Sequence, residues 1–231
     1  MVLEIIVWVD CCFIIMQLDI KEQSLILEGK KYSRKELMSL SANATGDNTS
    51  SFLLDLYRFL ADWFSDSPFM TVHTSGSTGT PKVLTVRKEQ MMQSARMTCE
   101  FLNLHTGDTA LLCMPLQYIA GKMMVVRALV AGLNLILRTP SGHPLADVTV
   151  PLRFVAMVPL QVFNTLQVLR EKERLCHTDI LIIGGGAIDA ALENEIRLLP
   201  GEIYSTYGMT ETLSHIALRR LNGSSASPYY R

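Results

Sequence analysis

The sequence predicts an α/β protein whose mainly parallel sheet is layered with helices on both faces. From about residue 70 onward, short continuous apolar runs alternate with longer segments whose apolar residues recur at helical spacing. Continuous apolar runs are typical of parallel strands buried on both faces. A large core is also available, because 48% of the 231 residues are hydrophobic and only 19% are charged. Ligands of such sheets bind beyond the carboxyl ends of the strands, where we therefore expect the chemistry.

The first part of the chain predicts a hairpin, a helix and a linker. Residues 24–27 and 31–33 form the hairpin, and a helix begins at Ser33, whose capping box is completed by Glu36. The polar residues 41–51 form the linker. The apolar residues 1–16 are too short for a membrane span and lack signal-peptide features, which leaves a buried strand or an extension ahead of a natural start at Met16. We divide the chain into an N-terminal segment, residues 1–51, and an α/β region, residues 52–231.

The α/β region then predicts an ordered series of elements. Its helices cover residues 52–64, 88–104, 121–131, 160–172 and 190–199, and its strands cover residues 110–114, 134–138, 154–158, 179–183 and 202–205. The short apolar run 70–72 directly precedes residues 74–82.

Charge and cysteine content exclude several functions. With 21 basic and 22 acidic residues the net charge is −1, so no overall field attracts nucleic acid or an anionic membrane, and we expect neither as a partner. Five scattered cysteines without a C-x-x-C pair predict reduced, mostly buried thiols in a cytoplasmic protein rather than disulfides or a zinc site. An anionic ligand must therefore be held by local groups.

Residues 74–82, Thr-Ser-Gly-Ser-Thr-Gly-Thr-Pro-Lys, have the composition of an anion-holding loop. Its glycines let the backbone approach a phosphate, its hydroxyls donate hydrogen bonds, and its lysine adds a positive charge. Pro81 separates it from the Walker pattern, which requires Lys directly after the second Gly. A flexible Ser/Thr/Gly linker is the alternative on composition alone. The candidate ligand-binding residues are Thr74, Ser75, Gly76, Ser77, Thr78, Gly79 and Lys82.

Read in order, these nine residues resemble the phosphate loop of the adenylate-forming superfamily, which comprises acyl-CoA synthetases, adenylation domains of nonribosomal peptide synthetases, and luciferases. Residues 207–212, Tyr-Gly-Met-Thr-Glu-Thr, match its second hallmark. Residues 184–187, Gly-Gly-Gly-Ala, match the segment that lies against the adenine, although a tight strand-to-helix turn explains them equally well. Residues 114–121 match its L-P-L-F-H-x-x-G segment in outline. The resemblance implies the fold of the large N-terminal domain of these enzymes.

The resemblance also implies an activity and its site residues. Such an enzyme uses ATP to activate a carboxylic acid as an acyl-adenylate and transfers the acyl group to coenzyme A, with Mg²⁺ as the metal. The implied catalytic residues are Lys82, Thr210 and Glu211, of which Glu211 binds the metal and Thr210 the α-phosphate. The implied adenine and nucleotide contacts are Tyr207, Gly208, Gly185, Gly186 and Ala187.

The acid is indicated by the continuation of the second hallmark. Residues 210–218, Thr-Glu-Thr-Leu-Ser-His-Ile-Ala-Leu, resemble the o-succinylbenzoate–CoA ligase branch of menaquinone biosynthesis, with other aryl or fatty acyl-CoA ligases as alternatives. The resemblance implies an acid pocket lined by Tyr118, Gly121, Gly184, Ser214 and His215.

Three side chains of the acid pocket region are open to more than one interpretation. Tyr118 stands where many relatives carry a gating His, so we assign it to the lining without a gating role. Lys122 and Arg127 lie on the predicted helix 121–131, where either could contact a second carboxylate of the acid. We expect a solvated helix face instead.

The family's later motifs are missing from this chain. No Y-x-T-G-D segment and no C-terminal lid domain with a catalytic Lys follow Glu211. We therefore expect an incomplete AMP-binding region that is impaired in adenylation and thioester formation by itself. A non-catalytic nucleotide-binding protein is the alternative of a different class, a Walker-type kinase is disfavoured by Pro81, and a homodimer is left open.

Overall fold

The computed structural model describes residues 19–44, 50–74 and 82–231. The apolar N-terminal run and five of the candidate phosphate-loop residues, Ser75, Gly76, Ser77, Thr78 and Gly79, lie outside the described residues. The predictions made for them therefore stay predictions.

The described strands and helices alternate along most of the chain. The strands are β1 Ser24–Leu27, β2 Lys30–Ser33, β3 Phe69–His73, β4 Val83–Arg87, β5 Thr109–Leu112, β6 Asn134–Leu137, β7 Leu152–Met157, β8 Thr178–Ile183, β9 Glu202–Gly208 and β10 His215–Arg220. The helices are α1 Arg34–Asn43, α2 Ser51–Phe64, α3 Lys88–Phe101, α4 Ile119–Ala131, α5 Pro159–Gln167, α6 Leu169–Cys176 and α7 Ala190–Ile196.

Eight of the strands form one sheet in the order β10-β9-β8-β7-β5-β6-β1-β2. The strands from β9 to β1 are parallel to their neighbours, whereas β10 and β2 are antiparallel at the two edges. β3 and β4 form a separate antiparallel pair. The predicted α/β fold with a mainly parallel sheet is confirmed.

Two separate cores show that helices cover both faces of the sheet. Successive side chains of a strand point to opposite faces, and in β7 Phe154 belongs to one core and Val155 to the other. The first core also contains buried residues of α2, α3 and α4, and the second contains those of α5, α6 and α7. Strand segments buried from both sides are apolar, which is why residues 154–157 of β7 and residues 180–183 of β8 read as continuous apolar runs.

The predicted hairpin and helix start of the N-terminal segment are both present. The Ser33 amide donates to Glu36 Oε2 at 2.7 Å, and the Glu36 amide donates to Ser33 Oγ at 3.4 Å, which completes the capping box. β1 pairs in parallel with β6, so the hairpin extends the same sheet as the α/β region. The division at residue 51 remains a prediction.

The structure corrects several element boundaries and adds strands, among them β3 at the apolar run 70–72. The predicted helices 88–104 and 190–199 end at Phe101 and Ile196. Residues 160–172 form two helices that break at Val168. Leu166 and Leu175 pack in the same core, and one straight helix of 3.6 residues per turn would turn them to opposite sides. β9 runs on past Ser205 to Gly208 because β10, which the sequence did not predict, pairs with it. β4 was also missed.

The side chain of Glu193 joins α7 to the edge strand β10. It accepts hydrogen bonds from Arg219 Nη2 at 2.7 Å and Nη1 at 3.1 Å, and from Arg197 Nη2 at 2.9 Å. The hydrogen bonds from Arg219 and then Arg197 lower the pKa of Glu193 to about 2 from its ordinary 4.5. The ionised carboxylate therefore stabilises the folded state at neutral pH.

We predict that Glu193→Gln lowers the free energy of unfolding at pH 7 by about 1–3 kcal/mol, as expected for hydrogen bonds to a charged group. Because the folded-state pKa is depressed, this contribution is fully present above about pH 4.5 and is lost as the pH falls through about 2. Urea unfolding at several pH values would measure it. The matched control is Glu195→Gln on the exposed face of α7, and equal stability of the two variants at pH 7 would contradict the prediction.

Candidate functional site

The sequence motifs meet at the carboxyl-end edge of the parallel strands. Residues 113–118 follow β5, residues 184–187 follow β8, and the turn Thr210–Thr212 follows β9. A backbone bridge between His73 and Tyr118 brings the end of β3 to the same edge. Chain order also reverses here, since β6 lies on one side of β5 and β7 on the other. Such a switch point is the usual ligand-binding position in an open α/β sheet.

The two ends of the candidate phosphate loop are held together. The Thr74 amide donates to the Lys82 carbonyl at 3.0 Å, and the Lys82 amide donates to Thr74 Oγ1 at 3.0 Å. β3 and β4 lead into and out of these two residues as an antiparallel pair. The Lys82 side chain is exposed. The structure therefore brings Thr74 and Lys82 together at the base of the loop.

Three predicted site glycines stand where the backbone has no room for a side chain. A Cβ at Gly121 would lie 2.4 Å from the Pro115 carbonyl oxygen, one at Gly184 would lie 2.3 Å from Thr206 Oγ1, and one at Gly208 would lie 2.3 Å from the Ser214 carbonyl oxygen. Gly185 has a φ of +78°, which favours glycine in the strand-to-helix turn. Gly185, Gly186 and Ala187 are exposed beyond β8.

The second hallmark forms the end of β9 and the turn after it. Tyr207 lies inside β9 with 54% of its surface exposed, and its ring centroid is 5.9 Å from that of Tyr230. Thr210 and Glu211 lie in a short 3-10 turn, and the Glu211 side chain is exposed. The Thr212 hydroxyl shapes the turn, since it accepts from the Met209 amide at 3.0 Å and lies 2.8 Å from the Ser214 carbonyl oxygen.

Arg127 is buried beside the second hallmark, which corrects the predicted solvated position. Only 3% of its surface is exposed, and its Nη2 donates to Ser214 Oγ at 2.7 Å. No carboxylate forms an ion pair with Arg127, and its Nε has no hydrogen-bond partner, in residues 19–44, 50–74 and 82–231. Burial lowers its pKa to about 10, so the guanidinium remains charged at neutral pH. Arg127 is thus a buried cation held by a neutral partner.

His215 joins this cluster through Thr98 on α3. The distance from His215 Nε2 to Thr98 Oγ1 is 3.2 Å, and that from His215 Nδ1 to Ser214 Oγ is 3.5 Å. Burial, and then the charge of Arg127, lowers the pKa of His215 to about 4. The imidazole is therefore neutral at pH 7. Sequence reasoning selected His215 and Ser214 but missed Thr98, which lies 117 residues from its partner.

Tyr118 and Lys122 lie at the beginning of α4. Tyr118 is 40% exposed immediately before α4. Lys122, on the first turns of α4, places its Nζ 5.5 Å from the centroid of the Phe59 ring, and burial lowers its pKa. Lys122 therefore contacts the aromatic part of the core rather than lying on a solvated face.

The described part of the chain has no ready-made metal cluster, so the predicted metal ligand Glu211 stands alone. Among its residues, no group of three or more His, Cys, Asp and Glu side chains is placed to hold an ion. Magnesium at phosphate sites keeps several waters and uses one or two carboxylates together with substrate oxygens. The exposed carboxylate of Glu211 at the sheet edge fits that pattern.

None of the helices in residues 19–44, 50–74 and 82–231 has the length and apolar content needed to cross a bilayer.

Comparison with known proteins finds similar chains among CoA ligases. The chain is 29% identical to 2-succinylbenzoate–CoA ligase of Haemophilus influenzae over 168 residues, which are 72% of this chain and 36% of that enzyme. The chain thus spans about a third of this curated relative's length. A crystal structure of an acyl-CoA synthetase (AMP-forming)/AMP-acid ligase II-like protein from Dyadobacter fermentans superposes with a TM-score of 0.75 at 36% identity, covering 84% of this chain and 55% of that one.

A further solved structure shares the fold. O-succinylbenzoate coenzyme A synthetase from Bacillus subtilis, in complex with ATP and magnesium ion, superposes with a TM-score of 0.63 at 17% identity, covering 92% of this chain and 63% of that one. The family model described as AMP-binding enzyme matches residues 9–229, nearly the whole chain. On this match and on the placement of its motifs, the chain belongs to the AMP-binding enzyme family.

Proposed function

We propose that the protein activates an aryl dicarboxylic acid, 2-succinylbenzoate, with ATP and transfers the acyl group to coenzyme A, a step of menaquinone biosynthesis. The observation that carries the proposal is the buried, unneutralised Arg127 beside the sheet edge that holds the nucleotide motifs. The name of the Haemophilus influenzae relative supports the choice of acid and of coenzyme A. A cytoplasmic location goes with it, since Cys99, Cys113 and Cys176 are free thiols. A homodimer stays a prediction.

The nucleotide would lie along the edge between the phosphate loop and the second hallmark. Thr74 and Lys82 stand at the base of the loop that would hold the β- and γ-phosphates. Thr210 would donate to the α-phosphate, and the exposed ring of Tyr207 offers an adenine-stacking face. The exposed backbone of residues 185–187 and Gly208 would border the adenine. These roles follow the family resemblance, residue by residue.

Magnesium would bind through Glu211 together with phosphate oxygens. When bound, it would neutralise negative charge on the triphosphate. Lys82 would add a second positive charge at the β- and γ-phosphates, which leave the α-phosphorus together as pyrophosphate when the carboxylate attacks it. Charge stabilisation and alignment supply most of the catalysis in phosphate chemistry of this kind. The chain's own residues would thus hold the leaving group and align the acid.

The acid pocket fits a substrate that keeps one negative charge throughout the reaction. 2-Succinylbenzoate has two carboxylates, of which one is activated while the other remains ionised. A buried charge without a partner of opposite sign costs free energy, which a bound carboxylate would offset. Arg127 has Ser214 as a neutral acceptor and Nε free of partners in the described chain, so its guanidinium can receive that second carboxylate.

The proposal predicts ATP–pyrophosphate exchange by the native gene product that depends on the acid supplied. We expect the fastest exchange with 2-succinylbenzoate and slower exchange with benzoate or a fatty acid, since only the first supplies a second carboxylate for Arg127. Faster exchange with a monoacid would favour another aryl or fatty acyl-CoA ligase. ATP binding without exchange on any acid would favour a non-catalytic nucleotide-binding protein, and release of ADP in place of AMP would contradict adenylate formation.

Lys82→Ala is predicted to weaken ATP binding by this chain about tenfold to a hundredfold, as expected for loss of a hydrogen bond to a charged group. Isothermal titration calorimetry measures the change. Lys172→Ala removes an equally charged, exposed lysine from α6 and serves as the control. Equal affinities of the two variants would exclude a phosphate role for Lys82.

Glu211→Gln is predicted to remove the gain in ATP affinity that Mg²⁺ gives, because an amide is a weaker ligand than a carboxylate for a hard cation. The measurement is the ratio of the ATP dissociation constants without and with Mg²⁺. We expect this ratio to be high in the wild-type chain and close to one in the variant. Glu195→Gln should keep the wild-type ratio, and a retained ratio in Glu211→Gln would show that the metal does not depend on this carboxylate.

A further inference from the structure

We infer that Thr98 and His215 are positioning residues that hold the Ser214 hydroxyl against Arg127, and so fix this cation in place without neutralising it. The inference rests on the proposed function, in which Arg127 meets a carboxylate of the acid. Thr98 lies on α3, outside the four sequence motifs, so the inference gives this helix a role in selecting the acid.

The hydrogen bond of Thr98 fixes the tautomer of His215. The Thr98 hydroxyl donates to the Ser94 carbonyl oxygen at 3.0 Å, one turn earlier in α3. A hydroxyl has only one proton, so Thr98 Oγ1 acts as the acceptor towards His215 Nε2 at 3.2 Å. The proton of the neutral imidazole therefore lies on Nε2, and Nδ1 carries the lone pair.

The same donor direction continues from His215 to Arg127. Ser214 Oγ accepts a hydrogen bond from Arg127 Nη2 at 2.7 Å, and its own proton is free to point towards His215 Nδ1, 3.5 Å away at the long end of hydrogen-bond range. The donors thus run in one direction, from Arg127 through Ser214, His215 and Thr98 to the backbone of Ser94. If the proton of His215 lay on Nδ1, it would point at Ser214 Oγ, and the Ser214 proton would lose its acceptor on His215.

The described side chains that hydrogen-bond to Arg127 or interact with its charge, namely Ser214, Met124, His215 and Cys99, are neutral. The imidazole of His215 is uncharged at pH 7 because burial beside Arg127 lowers its pKa to about 4. Burial raises the pKa of the nearby Cys99 thiol to about 11, so it carries no negative charge either. Met124 Sδ, 3.7 Å from Arg127 Nη1, is a weak acceptor. The guanidinium is therefore oriented by its neighbours while its charge stays available.

This arrangement explains how the pocket would select an anion. A carboxylate in the place of His215 would form an ion pair with Arg127. The guanidinium would then be neutralised before the ligand binds, and it would attract an anionic ligand less strongly. Neutral acceptors instead fix the side chain, whose long stem would otherwise lose rotamer freedom at the moment of binding. Thr98 and His215 would thus act on the acid only through Ser214 and Arg127.

The tautomer is tested by ¹⁵N-detected NMR of histidine side chains at pH 7. We expect the His215 signals of the wild-type chain to report a proton on Nε2. Thr98→Val, which replaces the hydroxyl by a methyl group, should shift them towards the Nδ1-protonated form, while Thr98→Ser should restore the wild-type pattern. A wild-type imidazole protonated on Nδ1, or no difference between the Val and Ser variants, would overturn the inference.

The positioning role is tested by calorimetry with 2-succinylbenzoate and with 4-oxo-4-phenylbutanoate, which lacks the ring carboxylate. We expect the wild-type chain and Thr98→Ser to prefer the diacid, and Thr98→Val to bind it about fivefold to tenfold more weakly, as for loss of one hydrogen bond. The affinity for the monoacid should not change. An equal loss for both acids, or no binding of the diacid to the wild-type chain, would overturn the role of Thr98 and His215. Failure of the proposed nucleotide chemistry would appear separately, in the Lys82 and Glu211 variants.

Discussion

The parallel pairing of the strands from β9 to β1 is the constraint on which the rest of the structure depends. Parallel neighbours end at the same edge, so residues far apart in sequence meet there without any direct bond between them. Tyr118, Gly184 and Glu211 follow three different strands of this sheet and arrive at its edge for that reason. Thr74 follows β3, which lies outside the sheet, and the His73–Tyr118 bridge brings it to the same edge. The arrangement requires helices on both faces, and the apolar content of the strands follows from that cover.

The edge itself is built from close backbone contacts. A Cβ at Gly121, Gly184 or Gly208 would lie only 2.3–2.4 Å from a neighbouring carbonyl or hydroxyl oxygen, which is closer than van der Waals contact allows. These glycines therefore have a packing reason that is independent of any ligand. The side chains of Lys82 and Glu211, by contrast, are exposed at the same edge.

The sequence predicted what depends on local pattern. Apolar runs and helical spacing located the strands and helices of the α/β region, and the Ser33 capping box located the start of α1. Features that depend on tertiary packing were missed, among them the break at Val168, which follows from the core that α5 and α6 share. The strand β10 was missed because its pairing with β9 is what makes it a strand.

The same distinction holds for the candidate site. The motifs selected Ser214 and His215, but their partners Arg127 and Thr98 stand 87 and 117 residues away from them and carry no motif. One signal for Arg127 was present in the sequence. The sequence of α4 is apolar on nearly all sides, which is typical of a helix that is buried all round. A cation in the middle of such a helix is therefore expected to be buried with it.

The hydrogen bond from Arg127 to Ser214 also joins a central helix to the first residues of an edge strand. β10 has one sheet neighbour, β9, so its attachment at this end relies in part on that contact. Any anion that steadies the guanidinium would therefore also steady the margin of the sheet. If an acid binds Arg127 as proposed, ligand binding and the stability of the fold would be thermodynamically linked, and the bound acid would stabilise the protein against unfolding.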